Sequence, residues 1–497
     1  MFDTVLVANR GEIAVRIIRA CRELGLVSVA VYSDVDRQSP HVLEADKAVR
    51  IGPAPAAESY LRGEYLIEVA RSEGAGAIHP GYGFLAERAS FADAVEKAGL
   101  VFIGPSPESI RAMGDKTEAR RRMADAGVPI VPGGLKPASG PGEAAETAHE
   151  LGFPVLLKAV AGGGGKGMRV VSDADDLLAA FEAASREAES AFGDGSVYVE
   201  KYLARPRHIE IQVLGDQSGA VVHLGERECS IQRRHQKLLE ESPAPLLDPA
   251  DREAMGAAAV QAARAVDYRG VGTVEFLYED GEFYFLEMNT RLQVEHPVTE
   301  LVTGLDLVQW QIRVATGESL DFRQKDVSFS GHAIECRITS EDADRGFLPT
   351  TGRIDHLETP SGPGVRWDGG IRAGSEIGLH YDSLLGKLIV HAASRSAAIA
   401  RMKRALGELV IHGVDTSVSF HLRVMEEDDF GKGDLTIAYL EDHPELLRPS
   451  DGDVRVLALV AALLEHGRWG RAGATRIDLL DGRKLSAWQT SGWPWQT

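Results

Sequence analysis

The stretch Phe285-Leu-Glu287-Met-Asn289-Thr-Arg291-Leu-Gln293-Val-Glu295-His-Pro297 combines the alternation of a β-strand with side chains that carry chemistry. Every odd position from 287 to 295 is polar. Because side chains point alternately to the two faces of a strand, Glu287, Asn289 and Arg291 are predicted to share one face. Carboxylate and amide oxygens on one face form a hard site suited to Mg²⁺ bound together with a nucleotide's phosphates. A solvated polar face is the alternative interpretation.

A second acidic run, Thr273-Val-Glu275-Phe-Leu277, precedes this stretch across Asp280-Gly281, and the turn decides whether the carboxylates meet. A two-residue turn pairs position 275 with position 286 and places Glu275 and Glu287 on opposite faces. A three-residue loop places them on the same face. Because a magnesium site needs both carboxylates together, we predict the three-residue loop.

Towards the N-terminus, short β-rich runs alternate with helical patterns. The strands Thr4–Ala8, Ser28–Tyr32 and Val101–Ile103 and the helix Ile13–Leu24 follow a βαβα order, which predicts a parallel sheet. The first turn, Ala8-Asn-Arg-Gly-Glu12, lacks the Rossmann glycine fingerprint, so no dinucleotide site is expected there.

A glycine-rich loop follows a boundary rich in proline and glycine at residues 128–142. The loop, Ala161-Gly-Gly-Gly-Gly-Lys-Gly-Met168, has G-x-G-x-x-G spacing but not that of a Walker A loop. Strand patterns precede and follow it, which indicates a β-loop-β flap able to cover phosphates with backbone N–H groups. A hairpin tip without a ligand is the alternative.

Two further motifs concentrate functional side chains. The run Glu226-Arg-Glu-Cys-Ser-Ile-Gln-Arg-Arg-His-Gln-Lys237 gathers cations, with a basic surface stretch as the alternative. The run His79-Pro-Gly-Tyr-Gly-Phe-Leu-Ala-Glu87 follows a predicted strand at its carboxyl end, where open parallel sheets bind ligands, with a tight turn as the alternative.

Composition excludes several classes of protein. The 497 residues carry a formal net charge of −20 with 44% apolar residues, which argues against wholesale disorder, a general nucleic-acid binder and a basic membrane-surface protein. Three widely separated cysteines predict neither a disulfide framework nor a thiolate zinc site and suit a cytoplasmic protein. Neither a signal peptide nor a membrane-spanning run is expected.

Taken in order, these motifs resemble the biotin carboxylase component of biotin-dependent carboxylases, an ATP-grasp enzyme, over about residues 1–446. The resemblance implies a fold of α/β and α+β class: an N-terminal parallel-sheet domain, an ATP-grasp fold with a mobile lid, and a C-terminal mixed α+β domain. The expected boundaries are an N-terminal domain at 1–113, a linking helix and lid at 114–203, the ATP-grasp core with the C-terminal domain at 204–446, and a tail at 447–497.

The resemblance also implies roles for individual residues. The ATP-binding residues are Lys116, Lys158, Gly163, Gly164, Gly165, Met168, Glu200, Lys201, Tyr202, Leu203, His208, Gln232, His235, Glu275 and Glu287. Two Mg²⁺ ions, for which Mn²⁺ can substitute, are expected on Glu275, Glu287 and Asn289. The bicarbonate pocket comprises Lys237, Arg291, Gln293, Val294 and Glu295, and Tyr82 and Arg337 lie beside biotin. The catalytic set is Glu295, Arg291, Arg337 and Lys237.

The implied reaction is ATP-dependent carboxylation of biotin with bicarbonate through carboxyphosphate, the first half-reaction of an acyl-CoA or keto acid carboxylase. The chain has no biotin-attachment sequence, so a biotin carboxyl carrier protein and a carboxyltransferase are expected on separate chains, with the protein in a homodimer or higher complex. The alternatives are another ATP-grasp ligase and a non-catalytic nucleotide-binding subunit. The tail, with an apolar helix predicted at Val454–His466 and four of the six tryptophans, is expected to dock a partner or to pack on its own body.

Overall fold

The computed structural model describes residues 2–134, 136–159, 168–448 and 458–463. The chain divides into two compact units, Met1–Leu447 and Arg448–Thr497. In the second unit, residues 458–463 are helical and exposed. The rest of the predicted helix at Val454–His466 and the tryptophans of the tail lie outside the described residues.

The N-terminal region is a five-stranded parallel sheet in the order β3-β2-β1-β4-β5. Its central strands are apolar because helices cover the sheet, so almost every residue of these strands is buried. The strands are β1 Thr4–Val7, β2 Val27–Ser33, β3 Lys47–Gly52, β4 Ala77–His79 and β5 Val101–Phe102. The helices are α1 Gly11–Glu23, α2 Pro40–Glu44, α3 Gly63–Ser72, α4 Ala89–Lys97 and α5 Pro107–Gly114. The predicted parallel sheet is therefore confirmed.

A smaller unit follows, in which a three-stranded antiparallel sheet in the order β7-β6-β8 packs against two helices. The strands β6 and β7 flank the glycine run and pair with each other, as the β-loop-β pattern predicts, whereas residues 160–167 lie outside the described residues. The elements are α6 Lys116–Asp125, α7 Pro141–Leu151, β6 Val155–Ala159, β7 Met168–Val171, α8 Ala174–Phe192 and β8 Val197–Lys201.

An eight-stranded antiparallel sheet in the order β15-β14-β9-β10-β13-β16-β23-β21 forms the largest layer. Its strands are β9 Arg207–Gly215, β10 Val221–Glu228, β13 Leu239–Ser242, β14 Gly270–Glu279, β15 Glu282–Asn289, β16 His332–Thr339, β21 Val365–Gly369 and β23 Leu384–Ala392. The helices of this region are α9 Pro249–Arg264, α10 His296–Thr303, α11 Leu307–Ala315, α12 Arg395–Glu408, α13 Val418–Val424, α14 Asp428–Lys432 and α15 Tyr439–Asp442.

Short ribbons and single helical turns complete the described part of the chain. The two-stranded ribbons pair β11 Gln232–Arg233 with β12 Gln236–Lys237, β17 Glu341–Asp342 with β18 Leu348–Pro349, β19 Gly352–Arg353 with β22 Glu376–Ile377, and β20 His356–Glu358 with β24 Val410–His412. The 3₁₀ helices are Asp34–Asp36, Ala56–Glu58, Gln324–Asp326, Ala343–Arg345 and Pro444–Leu447. Among the described helices, none combines the length and apolarity that crossing a membrane requires. The three cysteines are free and buried.

The two faces of the large sheet have opposite character, and β9 shows why. Ile209, Ile211 and Val213 pack with helix α9 in a buried core. His208 and Glu210 lie on the other face because side chains alternate along a strand. The same alternation holds on the neighbouring strand β14, where Val274 and Phe276 join this core while Thr273 and Glu275 lie on the opposite face, so this part of the sheet has an apolar face towards α9 and a polar face opposite.

The turn between β14 and β15 corrects the sequence prediction. Glu279 pairs with Glu282, so Asp280-Gly281 is a two-residue turn, and the predicted three-residue loop is wrong. Both turn residues have positive φ, as a type I′ turn requires. A β-bulge then shifts the register so that Glu275 pairs directly with Glu287. The two carboxylates share a face because of the bulge and not because of the loop.

Candidate active site

Lys237 lies at the centre of the polar face. Its Nζ is 2.5 Å from Glu210 Oε2, 2.9 Å from Glu275 Oε1 and 2.7 Å from Glu295 Oε1. Burial alone would lower the pKa of Lys237, but the three carboxylates raise it well above its usual value. The lysine is therefore a fixed positive charge in a site whose carboxylates come from strands β9 and β14 and from the end of the polar stretch.

Glu295 is held on both carboxylate oxygens. Lys237 contacts Oε1, and Arg337 Nη2 donates to Oε2 at 2.8 Å. Although burial opposes ionisation, these two cations hold the pKa of Glu295 well below its usual range. Arg337 also pairs with Glu240 Oε1 at 2.5 Å, so one guanidinium joins two carboxylates.

Arg227 lies beneath these residues and is fully buried. It pairs with Glu210 and donates to Gln293 Oε1 at 2.7 Å, and Gln293 Nε2 donates to Glu275 Oε1 at 2.7 Å. A buried arginine with polar partners on each side fixes the side chains around it. The sequence analysis did not select Arg227, Glu210 or Glu240. The alternation of polar and apolar residues along 208–213 is a signal for Glu210, whereas single arginines and glutamates carry no comparable signal.

The three predicted metal ligands lie on the paired strands β14 and β15. Glu275 and Glu287 are direct cross-strand partners, and Asn289 Nδ2 donates to Glu275 Oε1 at 2.9 Å. Lys237 and His208 lower the pKa of Glu275 despite its burial. Desolvation and the Glu275 charge raise the pKa of Glu287. A divalent cation would relieve this repulsion, and two carboxylates with an amide oxygen are the donors that Mg²⁺ prefers. The residues fit the implied ion.

The small three-stranded unit presents the predicted phosphate and adenine residues. Lys158 lies on β6 opposite Tyr198, and its Nζ is 3.8 Å from Glu200 Oε2. Arg120 Nη1 donates to Glu200 Oε1 at 2.8 Å, so both carboxylate oxygens of Glu200 face cations. Lys116 is the first residue of α6 and lies close enough to Glu287 to lower its pKa.

The edge of β8 where adenine is expected is partly covered. The backbone N–H of Lys201 donates to Pro132 O at 2.8 Å, and Gly133 forms a β-bridge with Glu200. A Cβ at Gly133 would lie 2.5 Å from Val199 O, so only glycine allows this approach. Tyr202 and Leu203 follow directly, where this cover ends. Met168 begins β7, and Gly163, Gly164 and Gly165 lie outside the described residues.

Three predicted nucleotide contacts come from β9 and the β11–β12 hairpin. Gln232 Nε2 donates to His208 Nδ1 at 2.8 Å, and His208 Nε2 is 3.0 Å from Glu275 Oε2. His235 is exposed in the hairpin turn with positive φ. The structure therefore brings His208 and Gln232 to the metal carboxylate and places His235 at the hairpin tip.

The remaining predicted residues link the site to the N-terminal region. Arg291 donates to Glu87 Oε2 at 2.9 Å and to Asn289 Oδ1 at 2.8 Å. Tyr82 donates its hydroxyl to Glu12, and the Val294 carbonyl accepts from Lys387 Nζ at 2.7 Å. Glu87, Glu12 and Lys387 were not selected from the sequence as individual site residues.

A polar sheet face with a carboxylate pair that fits a divalent cation, flanked by a small unit with the lysines predicted to bind phosphates, is typical of an ATP-dependent ligase of the ATP-grasp fold. Comparison with known proteins identifies the family. Residues 1–110 match the family described as biotin carboxylase, N-terminal domain, and residues 335–442 match biotin carboxylase C-terminal domain. Residues 115–323 match carbamoyl-phosphate synthase L chain, ATP binding domain. The chain therefore belongs to the biotin carboxylase family.

Individual relatives are similar over most of their length. The chain is 54% identical over 443 residues to a pyruvate carboxylase subunit from Methanothermobacter thermautotrophicus, covering 89% of this chain and 90% of that protein. It is 53% identical over 442 residues to biotin carboxylase of Nostoc sp., covering 89% of this chain and 99% of that protein.

A solved structure shows the same fold with ligands. It is the biotin carboxylase domain dimer of Hydrogenobacter thermophilus 2-oxoglutarate carboxylase in complex with MgADP, ADP and bicarbonate. The TM-score is 0.84 at 48% identity, covering 91% of this chain and 100% of that chain.

Proposed function

We propose that the polar face catalyses ATP-dependent carboxylation of biotin with bicarbonate, with the residue roles expected from the sequence. The observation that carries the proposal is the arrangement Lys237–Glu295–Arg337, in which one carboxylate is held between two cations at 2.7 and 2.8 Å. Such a pair of cations is suited to a small planar anion beside a base.

Bicarbonate entry changes the state of Glu295 in this scheme. An incoming anion competes with Glu295 for Lys237 and Arg337, and each contact that Glu295 gives up raises its pKa towards the usual range. Glu295 then accepts the bicarbonate proton while a bicarbonate oxygen attacks the γ-phosphorus of ATP, which gives carboxyphosphate and ADP. Mg²⁺ on Glu275, Glu287 and Asn289 would supply charge stabilisation for the phosphates when bound.

Biotin carboxylation follows at the Arg337 side. Carboxyphosphate releases CO₂ and phosphate, and phosphate removes the proton from the biotin ureido nitrogen that attacks CO₂. Arg337 stabilises the ureido oxyanion because its guanidinium stays charged and Glu240 holds its orientation. Tyr82 lies beside the ring. Closure of the β6–β7 hairpin over the nucleotide keeps water from carboxyphosphate.

The partners follow from the substrate. We expect biotin to arrive on a carrier protein, and we infer that the carrier and the carboxyltransferase are separate chains and that the protein forms a homodimer, as the H. thermophilus domain does in its structure. A cytoplasmic location is inferred from the three reduced, buried cysteines. The acyl-CoA or keto acid that finally receives the carboxyl group depends on the carboxyltransferase.

The test is ATP hydrolysis by the purified chain with Mg²⁺, bicarbonate and free biotin, each omitted in turn. We expect phosphate release to require bicarbonate and to rise when biotin is added. Hydrolysis driven by a different carboxylate would instead support another ATP-grasp ligase, and no hydrolysis under any condition would support a non-catalytic role.

Glu295→Gln tests the assigned base. The amide has the same shape but cannot accept the bicarbonate proton, so kcat is expected to fall about 10²- to 10⁴-fold while the KM for ATP changes little. Steady-state phosphate release measures both constants. Activity close to that of the unmodified enzyme would exclude Glu295 as the base.

A further inference from the structure

We propose that Glu12 and Lys387 are positioning residues that hold the Tyr82 hydroxyl and the Val294 carbonyl in a fixed relation. They join the biotin side of the site to its bicarbonate side. The inference rests on the proposed function, which places Tyr82 beside biotin and Val294 in the bicarbonate pocket.

The four groups form one continuous chain of polar contacts. The Tyr82 hydroxyl donates to Glu12 Oε1, and Glu12 Oε2 is 3.2 Å from Lys387 Nζ. Lys387 Nζ also donates to Val294 O at 2.7 Å. Helix α1, the segment after β4, strand β23 and the polar stretch after β15 each contribute one group. Residues distant in sequence therefore share one network.

The network lies where the parallel sheet reverses its strand order. In the order β3-β2-β1-β4-β5, the chain leaves β1 and β4 in opposite directions across the sheet, and such a switch point opens a ligand crevice beyond the carboxyl ends of the strands. Glu12 follows β1 and Tyr82 follows β4. The turn at Ala8–Glu12 lacks a dinucleotide fingerprint, and its role in this proposal is to position Tyr82 through Glu12.

The same turn also holds the backbone around Tyr82. Asn9 Nδ2 donates to Pro80 O and to Tyr82 O, each at 2.7 Å. Glu12 itself cannot shift easily, because a Cβ at Gly370 would lie 2.6 Å from the Glu12 backbone nitrogen, which shows how tightly that loop packs on the turn. Because Glu12 is held in this way, it keeps the Tyr82 hydroxyl in a fixed position.

Because Glu12 and Lys387 are buried, each depends on its polar partners. The Lys387 side chain is 0% exposed and that of Glu12 is 3% exposed. A buried ammonium persists only with acceptors around it, and the acceptors that contact Lys387 are the Tyr82-bound carboxylate and the Val294 carbonyl. Both acceptors belong to segments that carry proposed substrate contacts.

The network also sets the chemistry of Tyr82. A tyrosine has one hydroxyl hydrogen, and in this structure Glu12 accepts it. The oxygen lone pairs of Tyr82 are then left to accept from the substrate, and the ureido ring of biotin offers N–H donors. Loss of the Glu12 charge lets the Tyr82 hydroxyl point its hydrogen elsewhere. We therefore expect biotin binding to be the first property to weaken.

A double-mutant cycle tests whether Glu12 acts through Tyr82. The KM values for free biotin, bicarbonate and ATP are measured for the unmodified enzyme, Glu12→Gln, Tyr82→Phe and the double variant. We expect Glu12→Gln to raise the KM for biotin about tenfold in the Tyr82 background and less than about twofold in the Tyr82→Phe background, with the KM for ATP unchanged in each. Equal effects in the two backgrounds would overturn the proposal.

Two substitutions test whether Lys387 links the biotin side of the site to the bicarbonate side. Lys387→Met is expected to raise the KM for biotin and the KM for bicarbonate together by about tenfold, and Lys387→Arg is expected to recover part of both losses. Should Lys387→Met fail to fold, Lys387→Arg decides alone. It keeps the charge with altered reach, so the two KM values are expected to rise together by about twofold or more. Unchanged KM values, or a change in only one of them, would overturn the link.

Glu241→Gln is the matched control. Glu241 is also a fully buried carboxylate, paired with Arg395 at 2.7 Å and His332 at 2.6 Å, and its described partners include neither Tyr82 nor Lys387. It is expected to lower the thermal midpoint without changing the KM for biotin. An equal rise in the biotin KM for Glu241→Gln would show a general structural effect and overturn the proposal. If the unmodified enzyme lacks bicarbonate- and biotin-dependent ATP hydrolysis, the proposed function fails instead.

Discussion

Lys237 shows how a single buried cation makes a cluster of carboxylates possible. Glu210, Glu275 and Glu295 are each at most 6% exposed, and removing ionised carboxylates from water is costly. The ammonium within 2.9 Å of all three offsets that cost and holds the pKa of Glu275 and Glu295 below the usual range. The same charge is the one that we propose to bind bicarbonate, so stability and proposed catalysis depend on one side chain.

Lys237→Gln is therefore expected to damage both. Loss of the charge should lower kcat about 10²-fold or more and reduce the free energy of unfolding by about 3 kcal/mol, because buried carboxylates lose their counter-charge. Phosphate release and urea unfolding measure the two effects. The control is Lys403→Gln, which removes an exposed pair with Glu426 and is expected to cost less than about 1 kcal/mol. Equal stability of the two variants would contradict the prediction.

Glu287→Gln separates metal binding from stability. The Glu275 charge and desolvation raise the pKa of Glu287, so the ionised pair is a source of repulsion. The amide removes this repulsion and is expected to leave unfolding in EDTA unchanged or slightly more difficult. It also removes a proposed metal ligand, so the Mg²⁺ concentration for half-maximal activity should rise about tenfold.

Titration of activity with Mg²⁺ and unfolding in EDTA check the two parts of this prediction. Glu282→Gln, an exposed substitution at the other end of β15, serves as the control and should change neither quantity. A normal Mg²⁺ requirement in Glu287→Gln would exclude Glu287 as a ligand.

At the scale of elements, the β14–β15 pair shows which features could be predicted from the sequence and which could not. Alternation identified the strands and their polar face, since period two is a local property. The bulge at the Glu275–Glu287 register was not predictable, because the extra residue, Leu286 on the edge strand β15, is defined only by the pairing with β14 and leaves no pattern in the composition.

Ion-pair partners were still less predictable. Arg337 was expected from the family resemblance. Its partner Glu240 lies on β13, and only the pairing of β13 with β16 in the sheet brings the two residues together. Cross-strand contacts of this kind depend on topology, and a single sequence does not show which strands are neighbours. The helices and strands were largely predictable, and the network that holds the catalytic side chains was not.

The last described helices of the first unit carry a pH-dependent contact. His443 Nδ1 lies 2.8 Å from Tyr439 O, and its Nε2 lies 3.3 Å from Asp429 Oδ2. Partial burial alone would lower the pKa of His443, but these acceptors raise it. The stability that charged His443 contributes is fully present below the unfolded pKa of about 6.5 and is lost as pH rises through the higher folded value.

His443→Gln is thus expected to lower the thermal midpoint more at about pH 5.5 than at about pH 8.5, with a difference on the order of 1 °C. Scanning calorimetry of both proteins at the two pH values measures this difference. His356→Gln, at an exposed histidine 3.9 Å from an exposed carboxylate, is the control and is expected to change the thermal midpoint less than His443→Gln at about pH 5.5. A larger effect of His443→Gln at the higher pH would contradict the sign.

At the scale of the whole molecule, a negative net charge does not exclude a site for anions. The chain carries −20, yet Lys116, Lys158, Lys237, Arg291 and Arg337 are the residues that we propose to bind anionic substrates. Each of these cations whose contacts are described pairs with a carboxylate, and we propose that arriving anions exchange with those carboxylates. The overall charge describes the exterior and does not predict the ligand.

Truncation after Leu447 tests whether the site is self-sufficient. The first compact unit ends at Leu447, the family matches end at residue 442, and 442 residues of this chain cover 99% of the Nostoc relative. We therefore expect the truncated chain to keep kcat and KM for ATP, bicarbonate and free biotin within about twofold. We also expect it to lose binding to the carboxyltransferase chain in a pull-down, since the aromatic-rich tail is proposed to dock a partner. Retained binding would refute the docking role, and loss of biotin-dependent ATP hydrolysis would show that the catalytic unit extends into the tail.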